Sequence, residues 1–191
     1  MTDKKMAEAA LEARWVTMEQ LQAVIPAGRR EGKPFSLMLR EMGLDEEQIT
    51  FLQACALELP YARVDKMRVS HEAHKALPRD LQKRYRVAAL RIAADDSVYV
   101  AMLPEAAAEL SRYVKEATGA KIRPVAASAG AIQTLLRRFE NGEAGDDFAP
   151  AAEHYDFDTP AQARSRGVPA LVSPVEPTTE TEPLITSLAD F

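Results

Sequence analysis

The sequence of 191 residues has little of what enzymes and metalloproteins depend on. Its one cysteine, Cys55, lies in an apolar helical stretch, so we expect a buried and unreactive thiol. Its eight glycines are scattered, and no phosphate-binding loop of the form G-x-x-x-x-G-K-[ST] occurs. The G-x-S-x-G elbow of hydrolases and the His-Glu-x-x-His metal motif are also absent. These absences predict a protein without catalytic residues, a cofactor or a metal site.

Long apolar runs are absent as well. No stretch approaches the length that spans a bilayer, and the N-terminus carries acidic residues where a signal peptide has an uninterrupted apolar core. A single cysteine fits a reducing compartment. We therefore expect a cytoplasmic protein that does not insert into a membrane.

Charge is distributed unevenly along the chain. The net charge is −5, but residues 141–191 contain ten acidic and two basic residues, whereas residues 1–140 contain 22 basic and 19 acidic ones. The basic residues form no long run of the kind that binds nucleic acid. A mildly positive body with an acidic tail is predicted, and nucleic acid is not expected as a partner.

Residues 1–60 have the pattern of helical hairpins. Residues 17–20 and 45–48 are capping boxes, in which the first side chain accepts a backbone N–H and the last side chain reaches back. Between them, Pro34 and Gly43 bracket another helix, with proline at its start and glycine just past its end. The pattern predicts two helical hairpins in tandem.

The two capping boxes belong to a weak internal repeat. When the second box is placed over the first, Glu19 aligns with Glu47, Gln20 with Gln48, and Leu21 with Ile49. Such a repeat predicts two copies of one helix-turn-helix unit.

Residues 61–76 are predicted to be a connector, because Pro60 ends the helical region. The connector contains His71 and His74, spaced as His-x-x-His, without a nearby cysteine or further histidine to complete a metal shell. We therefore expect a solvated pair.

From Leu77 the pattern changes to a mixture of helices and strands. Strands are predicted at residues 85–92, 98–103 and 121–126, with helices at residues 79–84, from Pro104 to Gly119, and from Ser128 to Phe139. Pro124 cannot donate a ladder hydrogen bond, so the third strand is expected at an edge. Alternation in the first strand predicts Val87, Ala89 and Arg91 on one face and Ala88, Leu90 and Ile92 on the other.

The prediction for the whole chain is an α+β fold in four parts. Residues 1–60 form a helical tandem-repeat subdomain, residues 61–76 a connector, residues 77–140 an α/β subdomain with a small three-stranded sheet, and residues 141–191 a disordered acidic, proline-rich tail. The end of the tail has an apolar face that is a candidate docking motif for a partner, formed by Leu184, Ile185, Leu188 and Phe191. A few chance apolar residues are an equally good interpretation.

Residues 77–139, together with the helical repeat, resemble a known bacterial regulatory domain. The order helix, two strands, helix, strand, helix is similar to the second half of the N-terminal domain of type II secretion and type IV pilus assembly ATPases, called the MshEN or GspE N-terminal domain. Several members bind cyclic di-GMP. The resemblance implies a regulatory domain and a protein partner such as the inner-membrane platform of a secretion or pilus machine.

In that family two copies of a motif hold the nucleotide: R-L-G-x-x-L-x-x-x-G, six residues, then L-x-x-x-L-x-x-Q. Arginine offers a planar fork to guanine or phosphate, and glycine allows close approach of the backbone. In the second copy, Phe35, Leu39 and Gly43 fit the motif, but Pro34 replaces the arginine and Ser36 the first glycine. After a one-residue deletion the remaining positions are occupied by Ile49, Gln53 and Ala56.

The first copy is further from the motif. Lys5, Met6 and Ala7 stand in place of Arg-Leu-Gly, Arg14 replaces the last glycine, and Gly28 replaces the glutamine. The residues that pack helices are thus retained in both copies, and those that contact the ligand are largely lost.

This pattern favours a non-catalytic adaptor or regulatory module that acts through protein contacts. The alternative is a cyclic di-GMP receptor with a degenerate motif, in which the nucleotide-binding residues are Lys5, Arg29, Arg30, Phe35, Leu39 and Gly43. A third hypothesis is an autoinhibited module, in which the tethered acidic tail covers the positive body.

Overall fold

The computed structural model describes residues 2–69, 71–142 and 157. Within these residues there are eight α-helices and one three-stranded sheet, so the predicted α+β class is confirmed. A helical unit consists of α1 (Thr2–Glu12), α2 (Met18–Glu31), α3 (Phe35–Glu41) and α4 (Glu46–Leu57). A sheet unit consists of α5 (His71–Lys75), α6 (Arg79–Tyr85), β1 (Ala88–Ile92), β2 (Val98–Met102), α7 (Ala107–Thr118), β3 (Ile122–Ala126) and α8 (Ala129–Glu140).

Both predicted capping boxes are present. At the start of α2, the Gln20 N–H donates to Thr17 Oγ1 at 3.2 Å and the Thr17 N–H donates to Gln20 Oε1 at 2.8 Å. Asp45 and Gln48 repeat the arrangement at the start of α4, with distances of 2.7 and 2.9 Å. Each box satisfies two backbone N–H groups. The helix predicted between them is α3, which follows Pro34.

The core of the helical unit is centred on α4. Helix α1 packs along it, and Leu52 is fully buried. The Phe51 ring contacts the rings of Trp15 and Tyr61 edge to face, with centroid distances of 5.6 and 5.4 Å. Cys55 is half-buried against this core rather than fully buried as predicted.

The sheet has the strand order β1-β2-β3. Strand β1 is antiparallel to β2, and β3 returns parallel to β2 after the crossover helix α7. Strand β3, which contains Pro124, lies at an edge, as predicted. One face of the sheet packs on α7 and the other packs on α8, so both faces are covered.

Strand β1 differs from the prediction in two ways. It begins at Ala88 rather than at residue 85, because α6 continues to Tyr85 and Arg86 caps it in the left-handed conformation at φ +49°. The register also shifts by one residue between Ala89 and Arg91. This bulge places Arg91 opposite Tyr99 and Ile92 opposite Val98, so the predicted faces of Arg91 and Ile92 were wrong. A bulge breaks the simple alternation on which that prediction depended.

The segment at residues 61–76 is packed into the sheet unit. It contains a 3₁₀ helix and α5, and its apolar side chains join the core that faces α8. Gln82, which is buried, donates from Nε2 to the carbonyl oxygens of His74 and Leu77, both at 2.9 Å. These bonds fix α5 against α6. The four-part division of the chain stays a prediction.

His74 is buried, so the predicted solvated histidine pair was wrong for this residue. Its ring stacks on Phe139 of α8, with 3.8 Å between centroids, while His71 is exposed. Burial, followed by the nearby charge of Arg79, lowers the pKa of His74 below its ordinary value. Among the described residues, no group of side chains could hold a metal ion.

Across the same residues, every helix is too short or too polar to cross a bilayer. The candidate docking residues Leu184, Ile185, Leu188 and Phe191 lie outside the part that the structure describes. The predicted disorder of residues 141–191 likewise falls outside it, apart from Asn141, Gly142 and Phe157.

Candidate functional site

A cavity of about 790 Å³ lies between the helical unit and the sheet unit. Its size is within the range of small-molecule sites, roughly 300–1,000 Å³. The wall from the helical unit includes Asp3, Met6, Lys33, Pro34, Phe35, Ser36 and Gln53. The wall from the sheet unit includes Pro104, Glu105, Ala107, Ala108, Ser111 and Pro124. The first turns of α3 and α7, one from each unit, thus line the cavity together with residues of α1, α4 and β3.

The cavity wall contains the degenerate motif positions of the second repeat. Pro34, Phe35, Ser36 and Gln53 all line it, and they occupy the places of the family's arginine, leucine, glycine and last leucine. The wall therefore holds four of the predicted motif positions, and its described residues include no arginine.

Carboxylates outnumber cations among the described residues that line this cavity. Its one lysine, Lys33, has Nζ at 2.9 Å from Glu41 Oε1 and 3.0 Å from Glu31 Oε2, and these bonds raise the pKa of Lys33. Lys33 is therefore charged but already paired with two carboxylates. Asp3 and Glu105 are the two carboxylates among the described wall residues. This electrostatic environment is unfavourable for a dianion.

The residues predicted to bind the nucleotide are dispersed. Lys5 Nζ pairs with Glu58 Oε1 at 2.8 Å, and that bond lowers the pKa of Glu58. Arg29 and Arg30 are exposed in the last turn of α2, where Arg30 Nε donates to the carbonyl oxygen of Pro26 at 3.3 Å. The described wall of the cavity includes none of these three basic residues.

The other three predicted residues lie closer to the cavity. Phe35 lines it and is also packed in the helical core. Leu39 is fully buried one helical turn further along α3, and Gly43 forms the turn that follows at φ +96°. The structure thus brings Phe35 to the site and uses Leu39 and Gly43 to support α3. The nucleotide-binding set stays a prediction.

A partly buried polar contact joins the two units away from the cavity. The Tyr61 hydroxyl donates to Glu47 Oε2 at 2.6 Å, and the Ser128 hydroxyl donates to Glu47 Oε1. Burial, and then the bond to Glu47, raise the pKa of Tyr61 far above its ordinary value. Ser128 also caps α8 by accepting the Ala131 N–H at 3.1 Å. One carboxylate of α4 therefore holds the connector and the start of α8 together.

Several of these residues carry no signal in the sequence. Glu47 and Glu19 occupy the same position in the two capping boxes, yet only Glu47 meets a tyrosine and a serine from distant parts of the chain. Glu105 and Ser111 reach the cavity because Pro104 starts a helical segment at its edge. The start of that helix was predictable, but its position opposite α3 was not.

Comparison with known proteins supports one family. Residues 57–146 match the sequence model of the MshEN domain. The solved structure of MshE with cdg has a TM-score of 0.55 and 20% identity over 70% of this chain and 97% of that one, a likeness of fold. The N-terminal domain of XpsE gives a TM-score of 0.47 and 18% identity over 72% and 94% of the two chains. No curated protein sequence matches the chain. The family resemblance found in the sequence is therefore confirmed over residues 57–146, the part of the chain that matches an MshEN domain.

Proposed function

We propose that this chain is a non-catalytic regulatory module that acts as an adaptor through protein contacts. Its partner in this proposal is a component of a type II secretion or type IV pilus machine. The MshEN match supports a regulatory role, because this domain is the N-terminal regulatory part of assembly ATPases and not their motor. The sequence itself contains no Walker-type phosphate loop.

The observation that carries the proposal is the altered wall of the cavity. Pro34 stands where the family has an arginine, and the neighbouring Lys33 is already paired with Glu31 and Glu41. Asp3 and Glu105 make the remaining wall acidic. A cyclic dinucleotide carries two phosphate charges and needs donors that are not already engaged. The two units are nevertheless held together by Glu47, which favours a fold retained for contacts with proteins.

The test is a pair of titrations on the full chain. Isothermal titration with cyclic di-GMP at on the order of 50 μM should give no heat of binding. The purified cytoplasmic region of an inner-membrane platform protein from the same cell should bind with a Kd that saturating cyclic di-GMP leaves unchanged. Nucleotide binding in the low micromolar range, or partner binding that requires the nucleotide, contradicts the adaptor proposal.

The second candidate function is that of a cyclic di-GMP receptor. The cavity favours it, because its size suits a small ligand and its wall contains four positions of the second copy of the motif, Pro34, Phe35, Ser36 and Gln53. The related MshE structure contains cdg, which we take to be cyclic di-GMP. Under this hypothesis the nucleotide uses Phe35 as an apolar wall and nearby cations as weaker anchors.

A motif repair separates the two candidates. Pro34→Arg restores the planar guanidinium of the family motif, and Ser36→Gly restores the glycine that lets the backbone approach a ligand closely. The double variant should bind the nucleotide if the cavity has kept its shape. Pro34→Lys with Ser36→Gly is the matched control, since lysine supplies charge without the fork. If only the arginine variant binds the nucleotide, the result supports a cavity that has lost the arginine needed to hold the ligand. Binding by the unmodified chain favours the receptor.

A further inference from the structure

The bulge in β1 creates a row of three polar side chains across the sheet. Because of the bulge, Arg91 lies opposite Tyr99 of β2, and Tyr99 lies opposite Arg123 of β3. Residues in register on neighbouring strands share a face, so the three side chains are adjacent. Without the bulge, the residue opposite Tyr99 would be Leu90, and Arg91 would face the other side. We refer to Arg91, Tyr99 and Arg123 as the Arg-Tyr-Arg row.

The row has the geometry of an aromatic binding site. The guanidinium carbon of Arg91 lies 4.5 Å from the centre of the Tyr99 ring, and that of Arg123 lies 5.3 Å from it. Arg123 also donates to the Tyr99 hydroxyl at 2.9 Å, which fixes the ring. Tyr99 is half-buried and packs at the margin of the core that faces α8.

Phe157 is seated on this row. Its ring centroid lies 4.9 Å from that of Tyr99 with 31° between the planes, and the Arg91 guanidinium carbon lies 5.2 Å from it. Phe157 is 9% exposed and packs with the core residues of the sheet and α8. The preceding described residue is Gly142, so this contact joins a distant part of the chain to the sheet.

The charges on the two sides of this contact are complementary. In the sequence, Asp156 and Asp158 flank Phe157 directly. In the turn between β1 and β2, Asp95 is paired with Lys121 at 2.8 Å and with Arg123 at 2.9 Å. Hydrogen bonds from Lys121, Ser97 and Arg123 keep the pKa of Asp95 well below its ordinary value. The row therefore combines an aromatic face with the guanidinium groups of Arg91 and Arg123, of which Arg123 is also paired with Asp95.

We propose that the Arg-Tyr-Arg row is a docking site for an aromatic side chain within an acidic segment, and that Phe157 of this chain is its occupant. The inference does not depend on the proposed adaptor function. The ring contributes burial and an aromatic contact with Tyr99. In the sequence the two neighbouring aspartates carry a charge opposite to that of the arginines, so the proposal expects an acidic segment. A free segment of the same chemistry competes with Phe157 for the site.

The first test is carried out on the full chain. The NMR resonances of the Tyr99 ring are assigned as those that disappear in Tyr99→Phe. Phe157→Ala should shift these resonances and leave those of Tyr61 unchanged. Phe148→Ala removes the same type of side chain from an earlier position and is the matched control. Far-UV circular dichroism checks that both variants remain folded. Tyr99 resonances that are identical in the wild-type and Phe157→Ala chains overturn the proposal.

The second test adds the occupant as a separate molecule. A peptide with the sequence of residues 151–163 is titrated to about 1 mM, the scale of the effective concentration of a flexible tether. It should restore the wild-type Tyr99 resonances of the Phe157→Ala chain. It should bind the wild-type chain at least about tenfold more weakly, because tethered Phe157 already fills the site. A peptide that has no effect on the Phe157→Ala chain overturns the proposal.

Two altered peptides resolve the chemistry of recognition. Replacing the phenylalanine of the peptide by alanine should abolish its effect on Tyr99. Replacing both flanking aspartates by asparagine should weaken binding, and more so at low salt, where exposed charges are least screened. Equal binding by the asparagine peptide contradicts the acidic part of the proposal. An effect of the alanine peptide contradicts the aromatic part.

Discussion

The two halves of the helical repeat begin alike but are buried very differently. The turn between α1 and α2 contains Arg14 at φ +58°, and the turn between α3 and α4 contains Gly43 at φ +96°. A capping box follows each turn. Yet α2 buries two residues, whereas α4 buries six. The repeat therefore specifies the backbone conformation of each turn and helix start. How much each copy contributes to the stability of the fold depends on the elements that pack against it.

The neighbours differ because α4 lies at the centre of the molecule. It packs against α1 and α3, and it also contacts β3 and the 3₁₀ helix before α7. Helix α2 packs mainly on α3, where Gly28 allows close approach of the Met38 side chain. This explains why the motif positions of the second copy reach the cavity. Those of the first copy include Lys5, which is paired with Glu58 instead.

The largest effect should come from truncating one aligned apolar pair. Leu52 of α4 and Val24 of α2 occupy equivalent positions in the repeat; Leu52 is 0% exposed and Val24 is half-buried. Leu52→Ala should lower the free energy of unfolding by about 3–5 kcal/mol, because it leaves a cavity in a packed core. Val24→Ala should cost less than about 1 kcal/mol. Urea unfolding of the two variants measures both values.

Equal costs at these two positions would contradict a central α4 and a peripheral α2. Leu52→Met serves as a further check, because a side chain of similar volume should recover most of the lost stability.

A smaller effect is expected at the aligned glutamates. Glu47 accepts hydrogen bonds from Tyr61 and Ser128, whereas Glu19 is exposed. Glu47→Ala should destabilise the fold by about 2–3 kcal/mol, because it leaves the buried Ser128 hydroxyl and the half-buried Tyr61 hydroxyl without their acceptor. Glu19→Ala should cost only about 0.5 kcal/mol, the interaction of an exposed carboxylate with a helix N-terminus. The measurement is the difference between the urea denaturation midpoints of the Glu47→Ala and Glu19→Ala variants.

Tyr61→Phe tests whether Glu47 acts through the proposed bonds. It should remove part of the cost of Glu47→Ala when the two changes are combined, because the Tyr61 hydroxyl is then no longer left unpaired. Strict additivity of the two variants would show that Glu47 stabilises the fold in another way.

Much of the fold followed from local signals in the sequence. The capping boxes at Thr17 and Asp45 and the edge position of Pro124 each depend on a few neighbouring residues, and all were predicted. The β1 bulge was missed, because a single extra residue leaves no mark on the composition of the strand. Burial of His74 was missed for another reason, since its partner Phe139 lies far along the chain in α8.

The candidate site was less accessible to prediction than the fold. The motif comparison located Phe35 and Ser36, which line the cavity. It could not show that Lys5 would pair with Glu58, or that Glu105 would lie opposite α3, because these depend on how the two units pack. Helix caps and motif positions can be predicted from a sequence, whereas the charge distribution of a site between two packed units requires the tertiary structure.

Substitutions of the two turn residues should have smaller effects than Leu52→Ala and Glu47→Ala, and the two effects should have opposite signs. A Cβ added at Gly43 meets no atom within 4 Å, so Gly43→Ala costs only the strain of φ +96°, about 1–2 kcal/mol. Arg14→Gly relieves similar strain at φ +58° but makes the unfolded chain more flexible, so a gain of about 0.5 kcal/mol is expected. Both values are measurable by urea unfolding. Destabilisation by Arg14→Gly would mean that the arginine side chain contributes contacts that outweigh its backbone strain, and that the first turn has diverged from the second in more than conformation.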